Sequence, residues 1–156
     1  MSFDYTPDQW ARRNRSRWTR WQAVLAPIQL LVVVASAVLV IRYLLSGQGF
    51  AVANSSVILK LLILGLIMTT GALWEHDVYG KYLFAPQFFW EDVGSSVVCL
   101  LHLLYPLAAL FGAAEHTLAW LILAAYVSYA LNAAQYLVKL RRSRLHRASL
   151  AAAPTA

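Results

Sequence analysis

Charge is scarce in this 156-residue chain: Asp, Glu, Lys and Arg make up 13% of it, against about a quarter in an ordinary soluble domain. There is one cysteine, Cys99, which excludes an intrachain disulfide and any Cys-based metal cluster. No glycine-rich phosphate loop, dinucleotide fingerprint or HExxH pair is present. A bis-histidine haem site needs two deep histidines, and His102 alone is expected to lie deep. What is abundant is apolar: 60% of the residues are hydrophobic and the mean hydropathy is +0.57. One core of this size cannot hide so much apolar surface. The composition therefore excludes a typical cytosolic enzyme, a disordered regulator and a disulfide scaffold, and leaves a small integral membrane protein.

Four apolar runs organise the chain as one membrane domain over residues 1–156. They cover residues 22–45, 53–74, 93–113 and 117–140. As helices they would be about 32–36 Å long, which suits a hydrocarbon core of roughly 30 Å. The fold class expected is an all-α integral membrane protein with four transmembrane helices. No cleavable signal peptide is expected, because the first apolar run is too long for a signal h-region. Arg42 and Lys60 interrupt the first two runs and are expected to snorkel outward. The Ala-rich tail from Ala148 to Ala156 is expected to fray.

Net charge is +6, and the basic residues bunch at the two ends. Arg12, Arg13, Arg15, Arg17 and Arg20 precede the first run; Lys139, Arg141, Arg142, Arg144 and Arg147 close or follow the fourth. The middle loop carries Lys81, and the two outer loops carry no Lys or Arg. The positive-inside rule places both termini and the middle loop in the cytoplasm. Trp10, Trp18 and Trp21 interleave with the arginines, so residues 8–21 read as an amphipathic helix on anionic lipid rather than a nucleic-acid surface.

Residues 75–92 and their flank read as the chemical centre. The stretch from Trp74 to Asp92 holds four of the seven acids, Glu75, Asp77, Glu91 and Asp92, together with His76 and the aromatics Trp74, Tyr79, Tyr82, Phe84, Phe88, Phe89 and Trp90. Its length and Pro86 suggest an interfacial or partly re-entrant segment. Antiparallel spans would bring Glu75, Glu91 and Asp92 to one depth. Near hydrocarbon, desolvation penalises a carboxylate and makes it a usable general acid. The plainer alternatives are solvated anchors, acids at a helix N-terminus, a Glu75–Lys81 pair and an aromatic headgroup belt.

Within the fourth run, Ser128, Asn132, Gln135 and Lys139 share one helical face. They suit either helix–helix hydrogen bonds or a pocket open to the cytoplasm, beside Tyr126, Tyr129 and Tyr136. His102 suits an interhelical hydrogen bond, or an axial ligand to a metal in a planar macrocycle.

Four segments resemble one family. YLFAPQFFWEDV, TGALWEHDVYG, WQAVLAPIQLL and NAAQYLVKLR closely resemble the 3-vinyl (bacterio)chlorophyllide hydratases of bacteriochlorophyll biosynthesis, over roughly residues 18–142. The resemblance implies a hydro-lyase that adds water across a C3-vinyl group to give a 3-(1-hydroxyethyl) group. It implies no cofactor, a magnesium chlorin as substrate, other pathway enzymes as partners and a bacterial inner membrane (cytoplasmic or intracytoplasmic) as the location; the charge pattern adds lipid as a partner and argues against nucleic acid. The resemblance carries over no catalytic residues; the charge argument gives Glu91 as general acid, Asp92 or Glu75 to orient water or stabilise the cation, and His76 as base, with Asp77 beside it. Trp74, Tyr82, Phe88, Phe89, Trp90, His102, Tyr129, Asn132, Gln135 and Tyr136 are the expected substrate contacts, with His102 as a magnesium ligand and N-terminal cations for the propionate. A non-catalytic pigment carrier is the alternative; a small transporter is disfavoured by the lack of paired deep charges.

Overall fold

The computed structural model describes residues 5–151, and side chains for residues 5–139 and 141. The side chains of Arg142, Arg144 and Arg147, and the tail beyond Ala151, lie outside the described residues. The described chain is all-helical: α1 (Pro7–Arg15), α2 (Arg17–Ser46), α3 (Phe50–Tyr79), α4 (Phe89–Leu110) and α5 (Glu115–Ala151). Four of these, α2 to α5, are long and apolar enough to cross a membrane.

Local chemistry sets the boundaries. Thr6 and Gln9 form a reciprocal capping box at the start of α1, with Pro7 at the first helical position. Ser16 then breaks the helix. Its backbone is extended (φ −64°, ψ 127°) and its hydroxyl accepts from the Trp18 N–H. The amphipathic stretch expected over residues 8–21 is therefore two helices, with Arg17 to Trp21 already part of α2. Gly47 and Gly80 close α2 and α3 in the left-handed conformation and donate back to Tyr43 and His76.

The helices outrun the apolar runs, because their hydrogen-bond ladders continue into the polar ends. α3 carries Glu75, His76 and Asp77, and α4 carries Glu91 and Asp92, so the connection between them is only residues 80–88. The helix of the third run is shifted rather than shortened: it starts four residues before the apolar run and ends three residues before the run does. α4 ends at Leu110, where Phe111 and Gly112 (φ 75°) turn the chain.

α2 packs chiefly on α3 and α4 on α5, with α5 closing against α2 and α1 against α3. The core lies towards the α2–α3 and α4–α5 turns, around Val40, Val57, Tyr105, Ile122, Ala125 and Tyr126. Leu31, Leu45, Leu110 and Phe111 point outward and are at least 70% exposed. A continuous oily exterior of this kind is what lipid would cover.

Two polar layers cross the core. Ser36 on α2 bonds Ser56 on α3 at 2.8 Å and Tyr126 on α5 at 2.7 Å. Lys60 on α3 meets His102 on α4, and both are fully buried. Lys60 therefore does not snorkel. Its stem points inward, its ammonium lies over the rings of Tyr126 (5.4 Å) and Tyr129 (5.2 Å), and it has no carboxylate partner among the described residues. Arg42 is exposed as expected.

Candidate functional site

The opposite end of the bundle is built around two carboxyls. Glu75, in the last turn of α3, and Asp92, in the first turn of α4, are 4% and 7% exposed. Their carboxyls hydrogen-bond each other. Two carboxylates in contact cannot both be ionised at low cost, so such a pair holds one proton between them.

The connecting loop is wrapped onto this pair. Phe84 sits at φ 60°, the only non-glycine residue with positive φ among those described. That conformation costs an L-residue roughly 1–2 kcal/mol. It aims two successive N–H groups at the two acids: Phe84 N–H donates to Asp92 Oδ2 at 2.8 Å and Ala85 N–H to Glu75 Oε1 at 2.5 Å. Hydrogen bonds to a buried carboxyl contribute more than ordinary ones and offset the strain.

The third acid has a different partner. Glu91 pairs with Lys139 of α5 at 2.8 Å. The Lys139 ammonium also donates to the Gln87 carbonyl and lies 3.9 Å above the Phe88 ring. The ammonium sits directly against the Glu91 carboxyl. One end of the bundle thus holds a proton-sharing pair and, one residue along α4, an ion-paired carboxylate. Glu91 and Lys139 also border an open groove of about 420 Å³, lined further by Trp90, Leu131, Ala134, Gln135 and Val138.

Tyr136, Ser95 and Asn132 join the α4 and α5 sides of the site. Asn132 Nδ2 donates to Ser95 Oγ at 3.0 Å, and the Tyr136 hydroxyl lies 3.5 Å from the same oxygen. Phe88 stacks loosely on Tyr136 (6.5 Å) and meets Trp74 edge-on (5.5 Å). Phe89, Trp90 and Tyr82 are exposed around the rim.

Other expected site residues stand apart. Asp77 accepts from the Ser16 hydroxyl at 2.7 Å, on the α1 side of α3. His76 is exposed and stacks on Tyr82 at 4.2 Å. Neither is bonded to the carboxyl pair. His102 lies in the deep layer, with Nδ1 against the Val98 carbonyl at 2.7 Å and Nε2 against Lys60. Both ring nitrogens are engaged, so in this arrangement His102 offers magnesium no lone pair, and Tyr129 sits beside Lys60 in that same layer. Glu75 has no bond to Lys81; its partners are Ala85 and Asp92. The residues that sequence reasoning passed over are Ser95, Gly94 and the Phe84–Ala85 amides. Polar identity alone marks none of them; their roles come from the register of α4 on α5 and from one loop conformation.

Comparisons with known proteins place the chain in one family. The family model described as 2-vinyl bacteriochlorophyllide hydratase matches residues 5–142. A protein of that name from Rhodobacter capsulatus is 48% identical over 145 residues, covering 93% of this chain and 85% of its own. Another, from Cereibacter sphaeroides, is 51% identical over 142 residues, covering 90% and 88%. No solved structure matches the chain. The relatives' name numbers the vinyl-bearing ring carbon 2, where the reading above numbers it 3. The matched region takes in every helix that builds the carboxyl site, and the chain belongs to the 2-vinyl bacteriochlorophyllide hydratase family.

Proposed function

We propose that the chain hydrates the ring vinyl group of a bacteriochlorophyllide or chlorophyllide at the Glu75–Asp92–Glu91 site. The observation that carries this reading is the pairing of one proton-holding carboxyl dyad with one ion-paired carboxylate. Hydration of an alkene needs both a donor and an acceptor.

The dyad delivers its proton to the terminal vinyl carbon, forming a C–H bond and leaving positive charge on the inner carbon. The macrocycle delocalises that charge, and the Glu91 carboxylate stabilises it electrostatically. Water attacks the inner carbon, and Glu91 takes the proton that water loses. Return of that proton to the dyad closes the cycle, so R–CH=CH₂ and H₂O give R–CH(OH)–CH₃. This division of labour gives Glu91 the role of acceptor, because it pairs with the Lys139 ammonium, and moves the donor role to Glu75 and Asp92. The flat ring lies against Trp90 and the α4–α5 groove, with Phe88, Phe89 and Gln135 beside it. Arginines of α1 and early α2 hold the propionate.

The chain works as one membrane domain with both termini and the carboxyl end of the bundle on the cytoplasmic side. Residues 8–21 lie at the lipid interface. The distribution of arginines supports that orientation, and the bacterial inner membrane is the site of action.

Purified protein in lipid nanodiscs, given the vinyl pigment in water enriched in heavy oxygen, tests the proposal. The expected result is a hydroxyethyl product carrying the label and a blue shift of the long-wavelength band. Tight pigment binding without either change would overturn catalysis and leave a carrier.

A further inference from the structure

We infer that the corner formed by Gly94, Ser95 and Asn132 is the seat of the attacking water. The inference rests on the hydratase reading and adds its co-substrate site. A reaction carried out within an oily bundle needs a place where water is held and aimed, and bulk solvent does not supply one.

Three observations converge on this corner. Asn132 Oδ1 is buried and has no hydrogen-bond partner on the protein, whereas buried amide oxygens are almost always satisfied by protein or ordered water. Its amide is fixed from the other side, since Nδ2 donates to Ser95 Oγ at 3.0 Å. Oδ1 is therefore an oriented acceptor rather than a rotating one. Finally, Gly94 lets the Asn132 side chain come close to the α4 backbone: a Cβ there would lie 2.4 Å from Asn132 Oδ1 and 3.2 Å from Gln135 Oε1. The corner also lies in the right place. Ser95 is one helical turn from Asp92 and Glu91 on α4, about 4.5–6 Å along the axis, and the Tyr136 hydroxyl adds a second polar group at 3.5 Å from Ser95 Oγ.

A water accepting from Ser95 or Tyr136 and donating to Asn132 Oδ1 presents a lone pair towards the vinyl carbon and its other proton towards Glu91. Asn132 is in this sense a positioning residue: it orients the nucleophile and leaves protonation of the pigment to the dyad.

That separation gives the test. Protonation of the vinyl group is reversible. In heavy water, a cation that is not captured loses a proton and returns as vinyl pigment carrying deuterium on its terminal carbon. Asn132→Leu and Gly94→Ala are compared with wild type for two readouts, hydroxyethyl product and deuterium in the recovered vinyl pigment. The expected result in both variants is a loss of hydration of about 10–100-fold with deuterium exchange retained or increased. Added methanol should also capture a larger share of the product as the methoxyethyl adduct. Retained exchange reports a folded site; if Asn132→Leu fails to fold, Gly94→Ala alone decides, since it displaces only the ends of the Asn132 and Gln135 side chains. Equal loss of exchange and hydration in folded Gly94→Ala protein, or hydration unchanged in either variant, would overturn the water site while leaving the hydratase reading intact. Absence of both readouts in wild type would instead remove the hydratase reading.

Discussion

Glu75 and Asp92 come from different helices, yet they are gripped by consecutive amides of one loop, Ala85 N–H at 2.5 Å and Phe84 N–H at 2.8 Å. The α3–α4 connection is thus a clamp whose shape depends on the two acids it covers.

Neutralising the dyad should stop proton delivery while sparing the bundle. Glu75→Gln and Asp92→Asn keep the side-chain shape and a hydrogen-bonding oxygen. Each is expected to lower hydration by about 10²–10⁴-fold, the usual size of a general-acid contribution, with pigment binding within a few-fold of wild type by absorption titration. Wild-type turnover in both variants would remove the dyad from the mechanism.

Glu91 and Lys139 should couple in stability and separate in activity. The pair is mostly shielded, with side-chain exposures of 14% and 12%. Glu91→Gln or Lys139→Met alone is expected to cost about 2 kcal/mol by leaving one charge poorly compensated. The double variant should recover much of that in thermal unfolding in detergent, yet still accumulate vinyl pigment. A double variant with normal turnover would show that Glu91 is only a strut.

Phe84 tests the clamp through backbone conformation. At φ 60°, glycine relieves strain and a β-branched residue adds to it. Phe84→Gly is expected to keep the dyad and most of the activity. Phe84→Val is expected to lower stability by roughly 1–2 kcal/mol and activity with it. Similar melting temperatures and turnover for the two variants would count against the clamp.

The deep layer makes the opposite prediction from an ordinary salt bridge. Lys60→Met keeps length and volume while removing a buried charge. The relief of its desolvation cost is offset by leaving His102 Nε2 unpaired, so the net change is expected to stay within about 2 kcal/mol. His102→Ala leaves the Lys60 ammonium without its ring partner and opens a void, at an expected cost of about 3 kcal/mol. Thermal unfolding of the two variants compares them directly; equal losses would contradict this account.

Much of this was legible in the chain. Apolar run length gave four spans, because hydrocarbon thickness constrains it so strongly. The depth match of Glu75 with Asp92 followed from antiparallel neighbours. Side-chain direction was not legible. Hydropathy treats Lys60 as an interruption to be carried outward, but only packing against His102, Tyr126 and Tyr129 shows that it turns inward. Glu91 was the natural acid from its neighbour Trp90. Its ion pair depends on the register of α5, which no local pattern encodes. His76 and Asp77 follow Glu75 in sequence, but helical rotation of roughly 100° per residue carries them to other faces.

The inward lysine also bears on how the protein is made. When α3 leaves the translocon it carries Lys60 in the middle of an otherwise oily segment, a burden of about 3 kcal/mol for a solitary helix. His102 arrives only with α4, and the tyrosines that cover the ammonium only with α5. The apolar neighbours of Lys60 carry the segment into the membrane, but the cover over its ammonium is complete only once α4 and α5 have followed.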